Sequence, residues 1–325
     1  MDIQTVAITG GTGYLGRITA EIFAAAGYAP VLVDNFSRSR RPSSCPYPIV
    51  EVDLTDPRAV ARAWPREASA VIHFAALALL HESCERPAEY FRNNVQATVN
   101  VVEAALSAGC RSIIHSSSCA VYGIPPRVPI AETDPIAPIT PYGETKWMSE
   151  RVLDHFADRK GIRVVHLRYF NPAGALGALG EEHEPETHLV PNIVRAAMED
   201  RAVRVYGNDY PTPDGTCVRD YVHVEDLAAA HLAALRALAG WGASGSRVFN
   251  VGGGRGTSVL EVVAAASKAL GKKVDVEISP RRPGDPPALV ANASRALAEL
   301  GWKPLRSLVE IVTSHHAWLK GRAGA

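Results

Sequence analysis

The sequence predicts an α/β fold: a doubly wound parallel sheet followed by a smaller α/β C-terminal unit. Three observations predict it. Short, β-branched apolar runs recur through the first half, helix-length segments separate them, and the first run ends in a glycine-rich turn, "ITGGTGYLG" (8–16). The runs are "TVAITG" (5–10), "APVLVD" (29–34), "YPIVEVD" (47–53), "SAVIHFAA" (69–76), "RSIIHSS" (111–117) and "IRVVHLRYF" (162–170). Apolar on both of their faces, they suit strands covered from either side. Helices are expected over Tyr14–Ala26 and Val95–Ala108, the second stopped by Gly109. Strand–helix alternation of this kind builds a doubly wound sheet. After Phe170 the pattern loosens into Pro- and Gly-rich loops, "PTPDG" (211–215) and "RRPGDPP" (281–287), with a helix over Glu225–Ala239. The expected plan is a nucleotide-binding domain over 1–170 and a substrate domain over 171–325, with the chain crossing back to the first near 216–250. No repeat or low-complexity stretch interrupts it.

Composition narrows the function. The chain has 325 residues, 47% hydrophobic and 21% charged, enough for a sizeable core. Lys plus Arg and Asp plus Glu are both 34, so nothing in the charge balance points to nucleic acid or an anionic membrane. A local basic pocket for a phosphate stays open. Cysteines 45, 84, 110, 119 and 217 are scattered without a Cys-x-x-Cys pair, so neither a disulfide framework nor a metal site is expected. The histidines show no His-x-x-x-His spacing, and His315–His316 is expected on an exposed terminal helix. The start lacks a basic, apolar leader, and the apolar run around Val71–Leu80 is broken by His73 and too short for a membrane span. A cytoplasmic protein is expected.

The glycine turn carries the first chemistry. Gly11, Gly13 and Gly16 fit G-x-G-x-x-G, and Gly10, Gly13 and Gly16 fit G-x-x-G-x-x-G. Such a turn lets backbone N–H groups approach a pyrophosphate at the positive end of a helix, as in a Rossmann-type dinucleotide site. It is also compatible with a plain flexible turn. The strand before it, the helix after it and Asp34, 18 residues beyond Gly16, all favour the nucleotide. A carboxylate there accepts from a ribose hydroxyl and repels the extra phosphate of NADP, which favours NAD. Arg38, Arg40 and Arg41 nearby keep NADP in play.

The second signal is "PYGETK" (141–146), with Tyr142 and Lys146 four apart, on one face of a helix. Met148, Val152 and Phe156 form an apolar stripe offset by about half a turn from Lys146. The stripe is expected to pack while the Tyr142–Lys146 face looks into a cleft. A phenol of ordinary pKa about 10 is a poor base, but an ammonium and a cationic nicotinamide beside it favour the phenolate. Spacing alone fits an ordinary helix equally well. "IIHSSSCAVYG" places Ser116, Ser117 and Ser118 at a strand's carboxyl end, where ligands bind in open α/β sheets. A serine hydroxyl there serves the same substrate oxygen as the tyrosine, or simply closes a turn.

With these residues in view, the chain resembles the UDP-glucose 4-epimerase family of the extended short-chain dehydrogenase/reductase superfamily. The resemblance runs nearly end to end: "GGTGYLG", "DNFSRS", "VDL", "HFAAL", "RNNV", "SSSCAVYG", "PYGETK", "LRYFNPAGA", "HLVPNIV", "VYGNDYPTPDGTCVRDYVHVEDLA", "FNVGGG" and "RRPGDPPALVANAS". The resemblance implies NAD contacts at Gly10, Gly13, Tyr14, Leu15, Asp34, Asn35, Asp53, Leu54, Phe74, Ala75, Asn93, Lys146 and Phe170. It implies a catalytic trio of Ser118, Tyr142 and Lys146. It implies sugar and nucleotide contacts, besides Ser118 and Tyr142, at Tyr169, Asn171, His188, Leu189, Tyr206, Arg219, Arg282 and Asp285. An arginine fork holds a diphosphate from two sides, and an aromatic ring lies against uracil. Arg219 and Arg282 also suit plain ion pairs, with Asp220 and Asp285 as available partners. Two positions depart from the family pattern. Ala78 replaces a lysine of one branch, and His188 stands where some members carry an amide.

Related dehydratases and decarboxylases carry acids directly after the serine position; Cys119 and Ala120 stand here, which disfavours dehydration. The implied activity is interconversion of UDP-glucose and UDP-galactose, extending to the N-acetylated pair, by transient oxidation at C4. The alternatives are a 4-epimerase of a UDP-uronate or UDP-pentose, and a non-catalytic NAD-binding regulator. A homodimer is implied, through helices containing Val95–Leu106 and Met148–Phe156. Leu289 takes the place where strict UDP-glucose/UDP-galactose members carry a tyrosine, so it either widens the sugar pocket or packs in the interior.

Overall fold

The computed structural model describes residues 4–242, 244–282 and 284–323. Six strands in the first half, β1 (Thr5–Thr9), β2 (Ala29–Asp34), β3 (Ile49–Glu51), β4 (Ala68–His73), β5 (Ser112–Ser118) and β6 (Arg163–Tyr169), follow the apolar runs closely. Beyond them lie β7 (Asn171–Ala173), β8 (Val203–Tyr206), β9 (Val218–His223), β10 (Gly245–Val251), β11 (Gly256–Ser258), β12 (Val276–Ser279) and β13 (Ala288–Leu289). The central sheet is parallel throughout, in the order β10-β6-β5-β4-β1-β2-β3. Strand order reverses beside β1, and the crevice outside the carboxyl ends of β1 and β4 is where such a sheet binds ligands. The chain returns to this sheet in β10, paired along β6 from Gly245↔Arg163 to Val251↔Tyr169.

Alternate side chains serve opposite faces of each strand. Ile8, Leu32, Ile72, Ile114, Val165 and Phe249 pack with Phe23, Leu227, Ala234 and Leu238 from the helices Tyr14–Ala25 and Val224–Gly240. Ala7, Val33, Val71, Ile113 and Val164 face Val101, Val102 and Ala105 of the helix Gln96–Ser107 and Leu153 and Ala157 of the helix Pro141–Lys160. A smaller sheet, β11-β9-β13 with β7 on β9, and the pair β12–β8 complete the fold. The helix Leu189–Met198 packs there on those of residues 259–270 and 308–323, through Val190, Ile193, Val194, Val262, Ala266, Ile311 and Val312.

Two sequence expectations are corrected. On the Pro141–Lys160 helix the buried face is the one with Tyr142, Thr145, Lys146, Ser149, Glu150, Leu153 and Ala157, while Met148 is 40% exposed and Val152 and Phe156 half-buried. The polar side chains pack because each finds a partner: Thr145 accepts from Asn94, Ser149 donates to the Thr145 carbonyl, and Glu150 pairs with Arg168. His315 is fully buried against Trp318 rather than exposed, and His316 is half-buried. Among the described residues no helix is long and apolar enough to cross a membrane.

Candidate active site

The first wall is the glycine turn. Gly10 adopts φ +64°, and a Cβ there would meet the Ala75 backbone nitrogen at 2.9 Å. A Cβ on Gly16 would lie 2.3 Å from the Gly10 carbonyl oxygen, so only glycine lets the helix start this close to the strand. Gly13 is the N-cap, and no side chain caps the helix Tyr14–Ala25. Its first-turn N–H groups therefore remain for an anion. Tyr14 donates to the Gly174 carbonyl at 2.6 Å, tying this wall to the segment after β7. Asp34 ends β2 and is buried; Oδ2 accepts from Thr12 N at 3.0 Å and Oδ1 from Phe36 N at 2.9 Å. The arginines that kept NADP in play are each turned to a carboxylate: Arg38 to Glu82 at 2.6 Å, Arg40 to Glu184 at 3.6 Å, and Arg41 to Glu51. Asn93 lies in a π-helical turn, Phe91–Val95, ahead of the helix Gln96–Ser107. Its neighbour Asn94 accepts from Leu77 N at 2.8 Å and donates to Thr145 at 2.9 Å, fixing that turn to the Pro141–Lys160 helix.

The second wall carries the trio. Ser118 ends β5, and its hydroxyl accepts from Ala120 N at 3.1 Å, capping the 3₁₀ turn Cys119–Tyr122. Thr140 caps the facing helix by accepting from Gly143 N at 3.2 Å, and Pro141 occupies its first turn. A Cβ on Gly143 would lie 2.7 Å from the Ala120 carbonyl oxygen, so this glycine sets how near Tyr142 comes to the serine turn. Lys146 Nζ donates to the Ser116 carbonyl at 2.7 Å and lies 5.9 Å from the centre of the Tyr142 ring. Burial dominates both groups. It pushes the Tyr142 phenol up to about 12, against a hydrogen bond with Ser118, and the Lys146 ammonium down to about 7, against the Glu150 carboxylate. In the protein alone desolvation sets the direction of the tyrosine, and the Lys146 ammonium is directed at a carbonyl. Behind the trio, Arg168 holds Glu150 through two bonds, 2.9 and 2.6 Å, and reaches the Tyr122 hydroxyl at 2.9 Å. Cys119 is buried and its thiol is pushed up to about 12, so it behaves as core filler.

The third wall comes from the C-terminal half. Arg219, on β9, donates to the carbonyls of Val218 and Pro286 and lies 3.6 Å from Asp285. Asp220 instead binds the N–H groups of Gly254 and Ala291, at 3.0 and 2.9 Å. The Arg282 guanidinium stacks on Tyr206, 3.8 Å from the ring centre. Tyr169 is hydrogen-bonded to His231, and Asn171 donates to the Asp220 carbonyl at 3.0 Å. His188, at the N-cap position of the helix Leu189–Met198 but without a capping side-chain bond, turns its ring to Glu186 at 2.8 Å. Leu289, on β13, packs with Cys119, Val121, Ile130 and Phe170.

A single cleft of about 1980 Å³ is bordered by the residues named above for cofactor, chemistry and substrate, Gly11 excepted, from Gly10 to Leu289, including Leu15, Asn35, Asp53, Leu54 and Phe74. It also takes in Glu181, His183, Cys217 and Tyr221, which no local pattern in the sequence singled out.

The chain is similar to known proteins over nearly its whole length. The model of the NAD dependent epimerase/dehydratase family matches residues 6–252. The UDP-glucose 4-epimerase of Lacticaseibacillus casei is 43% identical over 308 residues, covering 93% of this chain and 92% of its own. The crystal structure of UDP-glucose 4-epimerase from Brucella ovis in complex with NAD is similar at 43% identity and TM-score 0.91, over 97% of this chain and 98% of that one. That of Bifidobacterium longum, in complex with NAD+ and UDP, is similar at 37% identity and TM-score 0.92, over 98% and 99%. The chain belongs to the NAD dependent epimerase/dehydratase family.

Proposed function

We propose that this protein is a UDP-hexose 4-epimerase that interconverts UDP-glucose and UDP-galactose with bound NAD. One observation carries the reading: Tyr142, Lys146 and Ser118 line, at the end of β5, the same cleft as the glycine turn and the Arg219–Arg282 wall. The relatives named UDP-glucose 4-epimerase, similar over nearly the whole chain, support it.

The residues present fit NAD. The uncapped helix start behind Gly13 suits the pyrophosphate, and the buried Asp34 carboxylate suits a ribose diol. When bound, NAD supplies a hydride acceptor and donor for the sugar C4 and a positive charge beside Tyr142. Tyr142 holds and returns the proton of the sugar 4-hydroxyl, and Ser118 hydrogen-bonds the same oxygen. Lys146, anchored on the Ser116 carbonyl beside the phenol, would hold the cofactor ribose. Arg219 and Arg282 hold the diphosphate and Tyr206 the base, with Asp285 orienting Arg219. Neither Cys119 nor Ala120 offers a carboxylate to take a C5 proton, so dehydration lacks its base. The half-exposed Met148, Val152 and Phe156 face, with the helix over Val95–Leu106, suits pairing with a second copy as a cytoplasmic homodimer. Sedimentation at working concentration is expected to give a dimer.

The test incubates the purified protein with UDP-glucose, UDP-galactose, their N-acetylated forms, a UDP-uronate and a UDP-pentose, and assays 4-epimers without added cofactor. Turnover of the glucose/galactose pair is expected; none with any UDP-sugar refutes the reading.

A further inference from the structure

The segment Glu181–His188 and the C-terminal helix Leu308–Ala323 bring together side chains that, His188 apart, the proposed reaction leaves without a role. Glu181, His183 and His188 offer ligand atoms that all lie within 4.8 Å of one another. Glu181 is buried, with Oε1 2.6 Å from His183 Nδ1 and Oε2 4.0 Å from His188 Nδ1. The 2.6 Å approach lacks hydrogen-bond alignment, and His183 Nδ1 is left without a hydrogen-bond partner. Glu186 stands behind His188. Its side chain is only 2% exposed, and Oε1 accepts from His188 Nδ1–H at 2.8 Å. Among the described residues its second oxygen, Oε2, is buried with no partner, as are both ring nitrogens of the fully buried His315. Buried polar atoms normally find partners, so bare ones gathered beside a carboxylate–imidazole cluster point to a missing ligand.

The donor set identifies its class. Two imidazoles and a carboxylate match a zinc-class divalent ion, whereas magnesium and calcium take oxygen ligands. Glu186 fixes the His188 ring through its Nδ1, the carboxylate–imidazole contact that orients a metal-ligating histidine. One loop supplies all three ligands, in the spacing Glu-x-His-x₄-His. All three border the cleft, so a fourth position open to a small molecule is available. We propose that Glu181, His183 and His188 form a binding site for a zinc-class divalent cation, with Glu186 positioning His188. The site shares His188 and the cleft with the proposed substrate wall, but its test needs no turnover.

The probe is cobalt(II), added to tag-free, chelator-treated, full-length protein. Binding of one equivalent per chain is expected, with visible d–d absorption of a low-coordinate site that zinc abolishes. Glu181→Gln and His183→Asn are each expected to remove the absorption, and Glu186→Gln to weaken affinity 10–100-fold. Thermal unfolding confirms that each variant is folded. Absence of the bands in the wild type overturns the proposal outright, whatever the variants do. Equal uptake by wild type and folded His183→Asn overturns it too, because the ion then sits elsewhere, on Cys84 or the termini. Unchanged affinity in Glu186→Gln removes the positioning role of Glu186.

Discussion

Gly143→Ala tests the geometry of the proposed reaction without touching a reacting group. A Cβ at this position would meet the Ala120 carbonyl oxygen at 2.7 Å, the Pro138 Cβ at 3.1 Å and the Ala120 carbonyl carbon at 3.2 Å. Ordinary contact begins at 3.4 Å, so the helix start and the serine turn must separate by about 0.7 Å. Backbone stands on both sides, so neither can swing away as a flexible side chain would. Overpacking of this size costs about 1–3 kcal/mol of stability. The separation falls directly between Tyr142, at the neighbouring position, and Ser118, whose turn contains Ala120. A misplacement near 1 Å costs on the order of 10²-fold in rate, so a fall in kcat of about 10- to 100-fold is expected. KM for the UDP-sugar should change little, because Arg219 and Arg282 lie on other elements. The assay is steady-state epimerisation, with thermal unfolding in parallel. A variant with kcat within twofold of wild type would refute the claim that this contact sets the tyrosine–serine distance.

Three further outcomes are expected. Tyr142→Phe removes nearly all turnover while protein-bound NAD, measured after denaturation, stays at the wild-type level; near-normal turnover sinks the assignment of the base. Lys146→Met abolishes turnover but raises thermal stability, because burial lowers the ammonium pKa to about 7 in the fold against about 10.4 when unfolded. A depressed lysine carries its full penalty below pH 7 and none above the unfolded value, so the gain in Tm is larger at pH 6 than at pH 10; the opposite slope contradicts the burial argument. UDP-N-acetylglucosamine is turned over beside UDP-glucose, and Leu289→Tyr suppresses the acetylated substrate selectively; an unchanged ratio means that Leu289 only packs against Cys119 and Phe170.

The sequence by itself determined the parallel sheet and the first two walls of the cleft, because both rest on local rules. Strand periodicity, the glycine turn, Asp34 at the end of β2 and the four-residue step from Tyr142 to Lys146 are each readable within a few neighbouring positions. Family resemblance placed Arg219, Arg282, Tyr206 and Leu289, yet no local pattern brings them to the glycine turn. Arg219 and Leu289 arrive because β7, β9 and β13 pair beyond the end of β6 while β10 returns to the central sheet, and Tyr206 and Arg282 because β8 pairs with β12. Which face of the Pro141–Lys160 helix is buried was misread from polarity, because Asn94, Arg168 and the Ser116 carbonyl, all distant in sequence, supply partners that make polar burial affordable. The same holds for His315, whose burial the local sequence does not show, and for Glu181, His183 and His188, whose loop conformation brings their ligand atoms together. Protonation was likewise a tertiary matter, since the shifts of Tyr142 and Lys146 are governed by desolvation, which depends on every atom excluding water around them.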